Sequence, residues 1–207
     1  MSVRDALLEH AGTSFAEDAG ITLRDKPSPL WQLLVLSLLL SARISSDIAV
    51  RSAREISRAG WRTPQRLLES TWQQRVDALG RGGYRRFDEK TATQLEQLAQ
   101  DVIDRWNGDL RRLRDDAGDA RGCERRLQEF VGIGPTGAAV FLREVQGVWP
   151  NIGPYADKLV TRGAQAVEST TDQLMEGSGV ADRPRIAAAC VRVARDQELA
   201  EKVRKSG

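Results

Sequence analysis

Cysteine and histidine are almost missing from this chain, and their scarcity removes several kinds of chemistry. The only cysteines, Cys123 and Cys190, are far apart and neither belongs to a CxxC pair. They cannot supply a disulfide framework, a zinc site or an iron–sulfur site, and are expected to be plain thiols in a reducing cytoplasm. The single histidine, His10, has no cysteine or second histidine near it and reads as a surface or boundary residue. Long apolar runs are also absent. The most apolar stretch, Leu30 to Leu40, is well short of the roughly 18 residues that a membrane span needs. The chain starts with an acidic helical pattern and no basic n-region, so a cytoplasmic protein with no membrane contact is expected. Strand-like alternation is missing, as are repeats and low-complexity segments. Neither sign of charge dominates: 31 basic and 29 acidic residues leave a formal net charge of +2. Contact with a polyanion must therefore come from local clustering, because the overall field is weak.

What remains is a helical, globular composition, 41% hydrophobic and 29% charged over 207 residues. That length suffices for one good core or two modest ones without metals or disulfides. The chain is organised around Glu129 to Leu142. The end of an amphipathic helix (Arg125 to Phe130) gives way to Gly132-Ile133-Gly134, and Pro135 opens a second helix whose apolar face runs from Ala138 to Val145, with Arg143 and Glu144 outward. A glycine ends a helix readily in the left-handed conformation, and proline suits the first helical position because its missing N–H has no partner there anyway. The N–H groups left over at such a joint, unobstructed by side chains, form an anion site suited to a backbone phosphate. A plain helix stop followed by a helix start explains the same residues.

In chain order, residues 2 to 18 contain an amphipathic helix with Val3, Ala6, Leu7 and Ala11 near one face, and Arg24 to Pro29 reads as a linker. Leu30 to Leu40, apolar on nearly every side, is expected to be the central buried helix. Ser41 to Asp47 should cap the next helix, Ile48 to Ala59, and places Arg43 on the intervening loop. Thr63-Pro64 starts a helix, and Trp72 to Leu79 starts another that stops in Gly80-Arg81-Gly82-Gly83-Tyr84-Arg85-Arg86. That basic glycine turn is either a phosphate-contacting loop or a solvated one. Thr91 to Trp106 is a long helix closed by Asn107-Gly108. Leu110 to Ala120 reads as a short charged helix with a loop. Gly147 to Ala156 is interrupted by two prolines and two glycines, and a helix resumes at Asp157, as its cap or as a rigidly held carboxylate. Residues 172 to 205 supply two further helices.

Four segments in order resemble the helix-hairpin-helix DNA glycosylase superfamily, in particular its endonuclease III branch. Leu38 to Arg43 with Asp47 is similar to the family's Leu-Leu-Ser-Ala-Gln stretch, and Gly82-Gly83-Tyr84 with the helix to Asn107-Gly108 is similar to its Gly-Leu-Tyr loop and helix. Phe130 to Gly134 resembles the Leu-Pro-Gly-Val-Gly hairpin, and Trp149-Pro150 with Asp157 and Arg162 resembles the Trp-Pro segment and catalytic helix start. The correspondence covers about residues 28 to 165.

The resemblance implies an all-α protein of two helical domains with a DNA-binding cleft between them. One domain would be residues 28–137, a helical barrel ending in the hairpin; the other would be 1–27 with 138–207. It implies a monomer on double-stranded DNA, and no cofactor or metal is expected from this chain's own residues. Gly132, Gly134, Thr136 and Gly137 would grip phosphates, Arg43, Tyr84 and Arg85 would meet the duplex, and Tyr155 or Trp31 would line the base pocket. Trp149 is a fourth candidate for stacking, and at least two of these four aromatics are expected to be core. Asp157 would be the catalytic carboxylate of base-excision repair. Three departures qualify this. The position of the lyase lysine holds Thr136, so Schiff-base chemistry is not expected there. The four cluster cysteines are missing. Gly83 stands where the family often places a bulky wedge, a role left to Tyr84 or Arg43. In addition, an ungapped alignment would put Tyr155 at the catalytic position, whereas the five-residue step to Arg162 favours Asp157. The alternatives are an endonuclease III-like protein that binds damaged or bent DNA without chemistry, and a helical protein-interaction scaffold.

Overall fold

The computed structural model describes residues 1–207, and all of its regular structure is helical. The first half contains α1 (Val3–Ala11), α2 (Phe15–Asp18), α3 (Pro27–Leu40), α4 (Ser46–Arg58), α5 (Pro64–Leu68), α6 (Trp72–Arg81) and α7 (Asp88–Trp106). The second half contains α8 (Leu110–Ala117), α9 (Ala120–Gln128), α10 (Pro135–Val145), α11 (Lys158–Ala166), α12 (Thr171–Met175), α13 (Arg183–Val193) and α14 (Gln197–Ser206). The chain divides into two compact units, Asp18–Phe141 and Met1–Glu17 with Leu142–Gly207.

The unit spanning residues 18–141 is built on α3, whose Leu30, Trp31, Leu33, Leu34, Leu36 and Leu39 are fully buried. A helix with no polar stripe gains the hydrophobic term on every side, roughly 1.5–3 kcal/mol per buried leucine. The proposed linker is shorter than expected, because Pro27, Ser28 and Pro29 form the first turn of α3, where missing N–H groups cost nothing. Helix α4 packs on α3 and α6, and α7 on α5 and α6. Caps set most boundaries. Ser45 accepts from the Ile48 N–H, Thr63 from Arg66 and Thr71 from Gln74. Asn107, in the left-handed region at φ 54°, closes α7 as its N–H reaches the Ile103 carbonyl at 2.8 Å. Arg75 of α6 is buried yet satisfied: its guanidinium pairs with Glu96 and donates to the Ala92 carbonyl at 3.1 Å and the Ser70 carbonyl at 2.8 Å. The charged segment after α7 forms the expected short helix and loop before the hairpin, because Gly118 at φ 77° ends α8 and Asp119 caps α9.

In the other unit, α13 is the hub against which α1, α11, α12 and α14 pack. Gly163 permits the approach of α11, since a Cβ there would lie 1.9 Å from the Cys190 carbonyl oxygen. The region expected to hold two helices also contains α12, started by a Thr170–Gln173 capping box, and a single 3-10 turn at Val180–Asp182.

Arg143 and Glu144 are not outward; both are buried. The Glu144 carboxylate accepts from the Phe15 and Ala16 N–H groups at 3.1 and 3.0 Å, satisfying the otherwise orphaned start of α2. Burial pushes its carboxyl up to about 7 against the opposing effect of those donors.

Candidate functional site

The joint between α9 and α10 belongs to the unit of residues 18–141. Gly132 sits at φ +83°, and a Cβ there would lie 2.7 Å from Leu38 Cδ1 and 3.0 Å from Gln94 Nε2. Both backbone and packing therefore demand glycine at this position. Gly134 is different: it is exposed, has no positive φ, and a Cβ would meet nothing within 4 Å. Nothing inside the protein requires a glycine here. Pro135 occupies the first position of α10. The N–H groups of Gly132, Gly134, Thr136 and Gly137 find no acceptor in the chain, whereas the Ile133 N–H is taken by the Phe130 carbonyl at 3.1 Å. Thr136 is exposed; Gly137 is buried against Ile133 and the Ser37 carbonyl, so its expected contact with DNA is confined to its backbone. Val131, 41% exposed, adds an apolar side chain beside the joint.

Asp157 lies in the other unit and caps α11, its Oδ1 accepting from the Val160 N–H at 3.0 Å. Its Oδ2 lies 3.7 Å from Nε of Arg143, whose side chain is 7% exposed. Burial pulls the Arg143 guanidinium below its ordinary range, and the neighbouring Asp157 opposes this. The carboxylate is held by a cap and a buried cation, with its side chain still 20% exposed. Tyr155 is half-buried. Its backbone is clamped by Gln146, whose Oε1 accepts from the Tyr155 N–H at 2.8 Å while Nε2 donates to the Tyr155 carbonyl at 3.2 Å. The Arg162 guanidinium donates to the Ala194 carbonyl at 2.8 Å.

Several expected contacts fall elsewhere. Tyr84 is core, 3% exposed, with its hydroxyl accepting from Thr91 Oγ1 at 3.3 Å, and burial raises its pKa. It is therefore not available to a duplex. Trp31 is also core, its indole N–H donating to the Trp61 carbonyl at 3.2 Å, so it lines no base pocket; Trp149 is fully buried as well. The glycines before Tyr84 serve packing. A Cβ on Gly82 would lie 2.2 Å from Ser52 Oγ where α6 meets α4, and Gly83 turns the chain at φ +93°. Arg43 and Arg85 are exposed, and no hydrogen bond or ion pair engages either guanidinium.

The sequence reading missed Arg143 and Gln146. The usable signal was Ala138-Ala139-Val140-Phe141-Leu142, five consecutive apolar residues that mark a helix buried on all sides. On such a helix the polar residues are buried too, and must have partners.

No protein-family model matches the sequence, and comparison with curated protein sequences finds no match. Among solved structures, the chain is similar to endonuclease III trapped as a covalent intermediate with DNA in an estranged-adenine complex. The TM-score is 0.52 at 17% identity, over 92% of this chain and 84% of that one. A non-covalent endonuclease III–DNA complex matches with a TM-score of 0.52 and 16% identity, over 92% and 81% of the two chains. The chain thus has an all-helical, endonuclease III-like fold. The iron–sulfur cluster that the resemblance brings with it does not fit: four cysteinates are needed, and the chain has two cysteines. Both are buried, and burial pushes the thiols up to about 11 at Cys123 and about 12 at Cys190.

Proposed function

We propose that this chain is a base-excision repair protein that binds double-stranded DNA as a monomer. In this reading it is a monofunctional DNA glycosylase, hydrolysing the N-glycosidic bond of a flipped damaged base with the Asp157 carboxylate. The observation that carries the reading is the α9–α10 joint: four N–H groups without an acceptor, beside a glycine that no internal contact requires. Such a site takes a phosphate oxygen at close range. The solved neighbours are endonuclease III bound to DNA, which supports DNA as the ligand. Arg43 and Arg85, exposed and unengaged, add charge-assisted contacts to the duplex.

As a base departs, positive charge develops on the sugar, and a fixed carboxylate both stabilises that charge and orients the attacking water. Asp157 has the required rigidity. Thr136 carries no amine, so a Schiff base with the sugar does not form at that position, and strand scission is not expected there.

Two observations favour binding without chemistry. Both Asp157 oxygens already have partners, and no bulky side chain stands at Gly83 to fill the helix after flipping. End-labelled duplexes carrying single alkylated, oxidised, deaminated or mismatched bases separate the two readings. Alkali-dependent cuts by the wild type and none by Asp157→Asn support the glycosylase. Duplex binding with no cuts on any lesion supports the binding protein. Asparagine is a good N-cap, so the substitution leaves α11 capped.

A further inference from the structure

The last turn of α10 and the residue that follows it place three polar residues, Arg143, Glu144 and Gln146, in the interior of one unit. Arg143 faces Asp157 and Glu144 holds the start of α2. Gln146 is fully buried and spends its amide on a loop. Its carbonyl accepts the Tyr155 N–H at 2.8 Å; its amide nitrogen donates to the Tyr155 carbonyl at 3.2 Å and to the Arg143 carbonyl of α10 at 2.9 Å. Side-chain amide and backbone thus pair as two peptide groups do across a ladder, one donor and one acceptor on each side. Glycine at 153 belongs to the same arrangement, because a Cβ there would lie 3.0 Å from Gln146 Oε1 and 2.9 Å from Arg183 Nη1.

The clamped residue is two positions before Asp157. We infer that Gln146 is a positioning residue for Asp157: it fixes the chain entering α11 at Tyr155, so that the carboxylate sits at a set place over Arg143 as well as at the cap. The inference rests on the glycosylase reading of Asp157. Few side chains substitute for this amide. Glutamate has no donor for the Tyr155 carbonyl, asparagine is a methylene too short, and leucine fills the volume while making neither bond to the Tyr155 backbone. Asp157 would keep its cap but lose one of its two fixed ends. A displacement of about 1 Å at a reacting group costs on the order of 10²-fold in rate.

The test compares wild type, Gln146→Leu, Gln146→Glu, Asp157→Asn and the Gln146→Leu/Asp157→Asn double variant. The measurements are single-turnover base release and duplex affinity, at a temperature where melting curves show every protein folded. The expected result for Gln146→Leu is release slowed by about 10²-fold with affinity within about threefold, and for Gln146→Glu a smaller loss. In the Asp157→Asn background, where release is already lost, Gln146→Leu should leave duplex affinity within about threefold, because both act through one carboxylate. A merely structural role predicts instead a fall in affinity parallel to the fall in stability. Full-rate release by Gln146→Leu, with Asp157→Asn inactive, would overturn the positioning role and leave the glycosylase reading standing. Release by Asp157→Asn at the wild-type rate would overturn that reading itself.

Discussion

The two glycines of the α9–α10 joint should respond in opposite ways to the same methyl group. At Gly132, alanine must adopt φ +83°, which costs about 1–2 kcal/mol for an L-residue. Its Cβ would press on Leu38 Cδ1 at 2.7 Å, in a side chain on the central helix that is itself buried, and such overpacking costs about 1–3 kcal/mol. The smaller entropy of the unfolded alanine chain returns about 0.4–1 kcal/mol. The net loss is about 1–5 kcal/mol, or roughly 2–20 °C in melting temperature for a chain of this size. At Gly134 nothing lies within 4 Å and φ is ordinary, so alanine should leave stability within about 0.5 kcal/mol. If that open space receives a phosphate, Gly134→Ala nevertheless lowers duplex affinity about tenfold, the worth of one charge-assisted hydrogen bond. Urea unfolding and fluorescence anisotropy on a labelled duplex measure the two quantities. Equal loss of stability in both variants, or unchanged DNA affinity in Gly134→Ala, would refute the reasoning.

Other expectations follow from single contacts. Glu144, pushed up to about 7 by burial against an ordinary value of 4.5, contributes stability that is fully present below that ordinary value and lost as pH rises through 7. Unfolding free energy from this group should therefore fall by about 2–3 kcal/mol between pH 5 and pH 8, and Glu144→Gln should flatten that slope; an unchanged slope would contradict the burial argument. Tyr84→Phe removes an acceptor for Thr91 and should cost about 0.5–1.5 kcal/mol without changing duplex affinity; lost affinity at unchanged stability would return Tyr84 to the DNA surface. Arg43→Ala should leave the melting temperature unchanged while making the dependence of log affinity on log salt shallower by about one, and an unaltered slope would remove Arg43 from the interface. Cys123 and Cys190 should resist iodoacetamide at pH 8 until the protein is unfolded, because burial holds both thiols protonated.

Much of the fold could be read from the chain because the signals that set helix ends are local. Ser45, Thr63-Pro64, Thr71 and Asn107-Gly108 each act within a turn of their own position, and the unbroken apolar face of α3 admits only a buried helix. Interior polar residues were illegible for the opposite reason. Glu144 is buried because Phe15 and Ala16 need an acceptor, and Gln146 because Tyr155 needs both a donor and an acceptor. No helical periodicity carries a partner that lies outside the helix. Tyr84 and the glycines before it misled for a related reason: a basic glycine turn looks solvated, yet Gly82 is small because Ser52 of α4 lies against it.

Asp157 is placed here as a carboxylate that does chemistry. The most direct measurement is chromatographic detection of free base released from a lesion-bearing duplex under single-turnover conditions, by wild type and by Asp157→Asn at matched occupancy. One base released per bound duplex is expected from the wild type, and none from the variant while its melting curve stays cooperative. Equal release by the two proteins, or none by the wild type across all four lesion classes, would contradict that role for Asp157.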